Sequence, residues 1–243
     1  MDLKSIPKVA LHRHLELSVR HSTIKELAPQ FGFDVSTQEK FAEKFLLTQP
    51  MADLGSALSK FLDTQKLIAN EQILERLAFE ACEDAHNEGI KILELRYAPT
   101  FVRLGHEDKL TYDQIHQAFV KGITKAEQKF NMAVGLICIA QRILPVETAH
   151  EVIDFAIANK DTFIGVDLAD NEVGFDCKAF APVFKKAKAA GLGITIHSGE
   201  ANVPEAPQYI LDAINDLGAT RICLLYTSPS PRDATLSRMP SSA

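Results

Sequence analysis

The chain has 243 residues, 46% hydrophobic and 24% charged, with a formal net charge of -6. That length suits one large domain or two of roughly 100 to 150 residues, with the composition of a globular protein rather than a collagen-like or disordered one. The acidic balance argues against a nucleic-acid binder, which needs clustered Lys and Arg, and no run approaches the roughly 18 apolar residues of a membrane span.

The first predicted element is a strand led by Lys8-Val9-Ala10-Leu11 into His12-Arg13-His14-Leu15-Glu16. Side chains alternate along a strand, so His12 and His14 share a face and form a candidate pair of metal ligands. The alternative is one solvent-facing and one packed histidine. A catalytic zinc takes about three protein ligands and leaves a position for water, so the remaining chain is read for a third ligand and a proton-transfer group.

Thr23-Ile24-Lys25-Glu26 has the form of a capping box, and the helix it opens should stop before Gly32. Leu54, Leu58, Phe61 and Leu62, then Ile73, Leu77 and Ala81, predict two amphipathic helices between Met51 and Gly89. From there the pattern alternates. Strands are predicted over 90–98, 133–139, 163–169 and 193–197, and helices over 111–130, 146–159 (opened by Pro145), 178–190 (stopped by Gly191) and 205–217. A sixth strand begins at 219–222. Near-continuous apolar strands separated by helices of a dozen or more residues are the pattern of parallel βαβ units.

Such units build either a barrel or an open doubly wound sheet. Polar residues recur at the carboxyl ends of the strands (His12 and His14, Arg96, Gln141, Asp167 and Asp170, His197 and Glu200), where a barrel gathers them into one mouth. No Gly-x-Gly-x-x-Gly or Gly-x-x-x-x-Gly-Lys-Ser/Thr follows a strand, which removes support from nucleotide-cradling open sheets. The expected fold is α/β, a partial (β/α)8 TIM barrel with five to six of eight strands. Residues 1–222 form its amino-terminal part, and 223–243, rich in Ser and Pro without periodicity, are expected to be a disordered, non-native tail.

His197-Ser198-Gly199-Glu200 supplies the third histidine and the carboxylate. Glu200 can lie beside a metal-activated water without ligating the metal. The alternative is a packed His197 and a Glu200 favoured only by a helix dipole. Cys82, Cys138, Cys177 and Cys223 have no Cys-x-x-Cys spacing and read as buried thiols of a reducing compartment rather than ligands or disulfides. The first residues contain no signal-type apolar run, so the expected location is cytoplasmic.

Four blocks, Pro7 to Glu16, Glu94-Leu95-Arg96-Tyr97-Ala98-Pro99, Gly165-Val166-Asp167-Leu168-Ala169 and His197-Ser198-Gly199-Glu200, resemble in kind and order the adenosine and AMP deaminases of the amidohydrolase superfamily. The resemblance implies a metal-dependent hydrolase barrel with one Zn2+ per chain on His12, His14 and His197. It implies Glu200 as proton donor to the purine ring nitrogen, and His14, Glu16 and Asp170 as substrate-binding residues, with Glu16 matching the acidic residue that contacts the ribose. The implied reaction is deamination of adenosine or 2'-deoxyadenosine to inosine and ammonia, with a purine nucleoside as the small-molecule partner and neither nucleic acid nor membrane.

The chain departs from the family pattern at Leu17 and Asp170, where glycines are usual, and after Ile222, where Gly-His-Gly and a later Asp-Asp pair are usual. His106, His116 and His150 read as solvated and offer no replacement. The chain as written is therefore expected to be an incomplete fragment, weakly active or inactive. The alternatives are deamination of adenine or a methylated AMP, or a non-catalytic metal-binding or incompletely folded fragment.

Overall fold

Parallel strands with one face against helices need a crossover helix between each pair, and the apolar runs of this chain are spaced for that. The computed structural model describes residues 6–51, 54–59 and 61–224. Its sheet has six strands: β1 (Lys8–His14), β2 (Ile90–Tyr97), β3 (Ala133–Gln141), β4 (Phe163–Ala169), β5 (Gly193–His197) and β6 (Arg221–Cys223). Each is parallel to the next in sequence order. There is no reversal of strand order of the kind that marks a doubly wound sheet; the sheet curls as part of a (β/α) barrel.

The helices are α1 (His21–Leu27), α2 (Gln38–Phe45), α3 (Leu54–Ser59), α4 (Phe61–Gln65), α5 (Glu71–Asn87), α6 (Pro99–Arg103), α7 (Tyr112–Lys129), α8 (Val146–Ala158), α9 (Ala181–Ala189) and α10 (Ala206–Asn215). The Asn70 side chain caps α5 by accepting from Ile73 N at 2.9 Å, and the helix buries Leu74, Leu77, Ala78, Ala81, Cys82 and Ala85 at helical spacing. Thr111 and Gln114 form a reciprocal capping box at α7. The two helices approach closely at Gly122, where an added Cβ would lie 2.2 Å from the Glu75 carbonyl oxygen.

Leu93, Leu95, Leu136, Cys138, Val166, Leu168, Ile194 and Ile196 are buried in one core cluster with the inner sides of these helices. On the inner face of the sheet Val9, Leu11, Ile92 and Ile164 are exposed. The β3–β4 register shifts between Leu136 and Ile137, so that Phe163 joins the helix-side core while Asp167 is available to the inner face. Ile164 packs over Gly135, where a Cβ would meet its Cδ1 at 2.3 Å.

Several local expectations are corrected. Thr23 caps nothing: α1 starts at His21, and the buried Thr23 hydroxyl donates instead to Glu80 Oε2 at 2.6 Å. The chain does turn at Gly32, which has φ 80° at the end of a one-turn 3-10 helix, Ala28–Phe31. The stretch expected to hold two helices holds α3, α4 and α5, while the short α2 and α6 have too few core positions to declare themselves. The helix predicted over 178–190 begins as a 3-10 turn, Lys178–Phe180, before α9. His116 is not solvated but 3% exposed, because α7 turns it towards β2 and β4. Residues 225–243, within the expected disordered tail, lie outside the described residues.

Candidate active site

The strand ends bring the chemistry together. His12 and His14 leave the end of β1 beside an irregularity in its pairing with β2 between Ala10 and Arg13, and His197 is the last residue of β5. Their Nε2 atoms form a triangle: His12 to His14 3.2 Å, His12 to His197 3.0 Å, and His14 to His197 3.3 Å.

Behind His197 lies Asp167 of β4, with its oxygens 3.1 and 2.9 Å from His197 Nδ1. That contact places the proton on Nδ1 and leaves the Nε2 lone pair facing the other two rings. Burial alone would raise the Asp167 carboxyl, but His197 and Arg96 outweigh it and hold it well below the usual carboxylate range. Arg96 is fully buried; Nη1 donates to Asp167 Oδ2 at 2.5 Å and lies 3.2 Å from Cys223 Sγ, and Nη2 donates to the Leu11 carbonyl at 2.7 Å. One guanidinium thus ties β2 to β1, β4 and β6 beneath the histidines.

Loss of water around the rings lowers His14 to about 3 and, joined by the Arg96 charge, His12 to about 4. His12 and His14 are therefore available as neutral bases, the form that binds metal. Three lone pairs this close repel one another unless a cation sits among them, and nitrogens at these separations can all reach one ion at the roughly 2.0–2.1 Å of a zinc–nitrogen bond. The residues fit zinc. Among the described residues Asp167, His197 and Cys223 also bring ligand atoms together, but the Arg96 guanidinium occupies that group.

The histidines border a cleft of about 810 Å³ with apolar walls that include Leu58, Phe61, Phe101, Ile139 and Leu144. Glu16, Asp170 and Glu200 line the same cleft, as does Leu17; no Lys or Arg does so among the described residues. Glu16, on a 3-10 turn after β1, is buried; its Oε1 accepts from Ala98 N at 3.1 Å, and its Oε2 has no partner among the described residues. Burial pushes its carboxyl up to about 8. Burial also raises Glu200, with the charges of Glu172 and Asp170 adding to the effect and those of His197 and Arg142 opposing it. The protonated form of Glu200 is thereby favoured.

Asp170 has φ 84°, the left-handed region where glycine is unstrained and other residues are not. Its Oδ1 accepts from Asn171 N at 2.7 Å and its Oδ2 from Gln141 Nε2 at 2.7 Å, while Gln141 Oε1 accepts from the Thr100 hydroxyl at 2.6 Å. The sequence pattern placed Arg96, Gln141 and Asp167 at strand ends but assigned them no partners. It missed Arg142 and Glu172, and for these the only signal was proximity to a strand end.

The family model described as adenosine deaminase matches residues 7–230. An adenosine deaminase of Clostridium perfringens is 34% identical over 229 residues, covering 91% of this chain and 66% of the relative, so the chain spans just under two thirds of that relative's length. Among solved structures, an amidohydrolase from Burkholderia ambifaria with bound zinc superposes with a TM-score of 0.82 at 25% identity, covering 93% of this chain and 60% of that one. The N6-methyl-AMP deaminase of Arabidopsis thaliana superposes with a TM-score of 0.75 at 26% identity, covering 96% and 68%.

Proposed function

Because the chain belongs to the adenosine deaminase family, we propose that the protein carrying it is a zinc-dependent hydrolase that converts adenosine and 2'-deoxyadenosine, with water, to the corresponding inosine and ammonia. The observation that carries the proposal is the triangle of His12, His14 and His197 Nε2 atoms in a cleft shared with Glu200. His12, His14 and His197 would hold the zinc, which when bound would lower the pKa of water towards neutrality and so supply the nucleophile. Glu200 gives its proton to the purine ring nitrogen next to the attacked carbon; without that proton, addition would leave a full negative charge on the ring. Its burial beside two other carboxylates supports the acid form this role requires.

Glu16 and His14 border the substrate. The Glu16 oxygen without a partner among the described residues supports a contact to a ribose hydroxyl, and hence a nucleoside rather than a free base. A cleft lined by Glu16, Asp170 and Glu200 and by no cation among the described residues favours an uncharged nucleoside over a monophosphate. Asp170, locked by Gln141, stands beside the base as an acceptor. Four free, buried cysteines support action in the cytoplasm, as a step of purine metabolism.

The test is a panel of adenosine, 2'-deoxyadenosine, adenine, AMP and N6-methyl-AMP with the zinc-loaded protein. Adenosine is expected to exceed AMP and adenine in kcat/KM by about 100-fold or more, and Glu200→Gln to lower kcat by roughly 10²- to 10⁴-fold. A preference for AMP, or wild-type turnover by E200Q, contradicts the assignment.

A further inference from the structure

Glu172 follows β4 by three residues and is 2% exposed, yet it is not among the residues that line the cleft. Its two carboxylate oxygens are each used by a backbone N–H: Gly199 N donates to Oε2 at 3.1 Å and Ala201 N donates to Oε1 at 2.6 Å. Those two N–H groups flank Glu200. The turn they belong to contains Gly199 at φ 77° and is neither helix nor strand; backbone bonds tie Ser198 to Cys223 and Val203 to Ala201, and the Glu172 carboxylate adds a clamp, the two bonds that flank Glu200 directly.

The clamp is itself anchored. Arg142, 2% exposed just after β3, donates from Nη2 to the His197 carbonyl and places Nη1 3.9 Å from Glu172 Oε2 and 3.4 Å from the Phe175 carbonyl oxygen. Its own backbone N–H donates to the Ala169 carbonyl at 2.9 Å. Arg142 and Glu172 therefore lock the segments after β3, β4 and β5 to one another directly behind the metal-facing His197 and the cleft-facing Glu200.

We propose that Glu172 is a positioning residue for Glu200. It fixes the 198–201 turn through the amides on either side, so that the Glu200 carboxyl is presented to the purine ring nitrogen at a set distance. The inference rests on the proton-donor role of Glu200 proposed above. It assigns to a residue outside the cleft a part in the reaction rather than in substrate binding. A carboxylate suits the position because both neighbours are donors; glutamine of the same length would present an NH2 group to one of them.

The experiment compares Glu172→Gln, Glu200→Gln and the double variant in the zinc-loaded protein, with adenosine as substrate. E172Q is expected to lower kcat by about 10²-fold, the effect of misplacing a reacting group by about an ångström, with KM and zinc per chain within about twofold of wild type. In the E200Q background the same substitution is expected to cost less than about threefold, because its effect passes through Glu200. Amide hydrogen exchange at Gly199 and Ala201 is expected to quicken about tenfold or more in E172Q and to stay unchanged in E200Q.

Glu172→Asp, which keeps both oxygens but shortens their reach, is the second variant and is expected to lose less kcat than E172Q. The proposal is overturned if a folded, zinc-loaded E172Q keeps kcat within twofold, if E172D loses as much kcat as E172Q, if the loss is the same with and without Glu200, or if only KM moves. If the wild-type protein does not deaminate adenosine, the proposed function fails separately. The exchange of the two amides then decides the clamp: unchanged rates in E172Q overturn it.

Discussion

A histidine binds a metal only as a neutral base with its lone pair aimed at the ion, and at this site Asp167 provides the aim. It takes the Nδ1 proton of His197 in a hydrogen bond and is held ionised by that ring and by Arg96. Asp167→Asn is therefore expected to weaken zinc binding by about 10- to 100-fold in a competition titration against a chelator, and unchanged affinity would refute the role given to Asp167. The pair His12 and His14 was legible in the sequence because a period of two puts both on one face whatever the rest of the chain does. His197 and Glu200 were legible as one short block. Asp167 and Glu172 were visible only as acidic residues near a strand end, because what they do depends on contacts to β5 and the turn after it, 27 to 30 residues further on. Cys223 was read as incidental and is no ligand in the histidine triangle, but its sulfur lies against Arg96.

At the scale of elements, one pattern had two outcomes. Thr111-x-x-Gln114 and Thr23-x-x-Glu26 both have the capping-box form, yet only the first caps a helix. The Thr23 hydroxyl is used by Glu80 of α5, a tertiary partner that local spacing cannot reveal. His116 makes the same point on α7. Its Nδ1 is 3.0 Å from the Tyr97 hydroxyl, its Nε2 is 2.7 Å from Thr162 Oγ1, and its ring stacks on Phe163 with centroids 4.2 Å apart. Its place in the Ile115, Phe119, Gly122, Ile123, Ala126 stripe could have marked it as buried.

Burial lowers His116 from 6.5 to about 4. The unfolded chain takes up its proton below about pH 6.5 and the folded chain resists until about pH 4, so stability falls as the pH is lowered between them. Its share of that loss by pH 4.5 is roughly 2 kcal/mol. Urea unfolding at pH 7 and pH 4.5 checks this. His116→Gln is expected to be less stable than wild type at pH 7 but to lose less on acidification, whereas equal losses in the two proteins would contradict the assignment.

For the whole molecule, the parallel sheet was legible because strands covered by helices on one face and a barrel interior on the other read as apolar runs, and the chain carries six of them in order. In the crossover between β1 and β2 the helix ended by Gly89 was legible from Ile73, Leu77 and Ala81 and is α5, whereas the short α2 and the division of the preceding stretch into α3 and α4 were not, because helices of one or two turns bury too little to set a period. The sheet gathers residues 12, 14, 96, 167, 197 and 223, distant along the chain, at the carboxyl ends of its strands. We infer that this gathering makes one zinc site. Titrating metal-stripped protein with zinc, with bound metal and thermal unfolding followed together, tests it most directly. One zinc per chain is expected, with a stabilisation of about 4 kcal/mol once free zinc reaches roughly a thousand times Kd, and both lost in His12→Ala and in His197→Ala. Absence of tight zinc binding, or a stoichiometry that neither substitution changes, would contradict it.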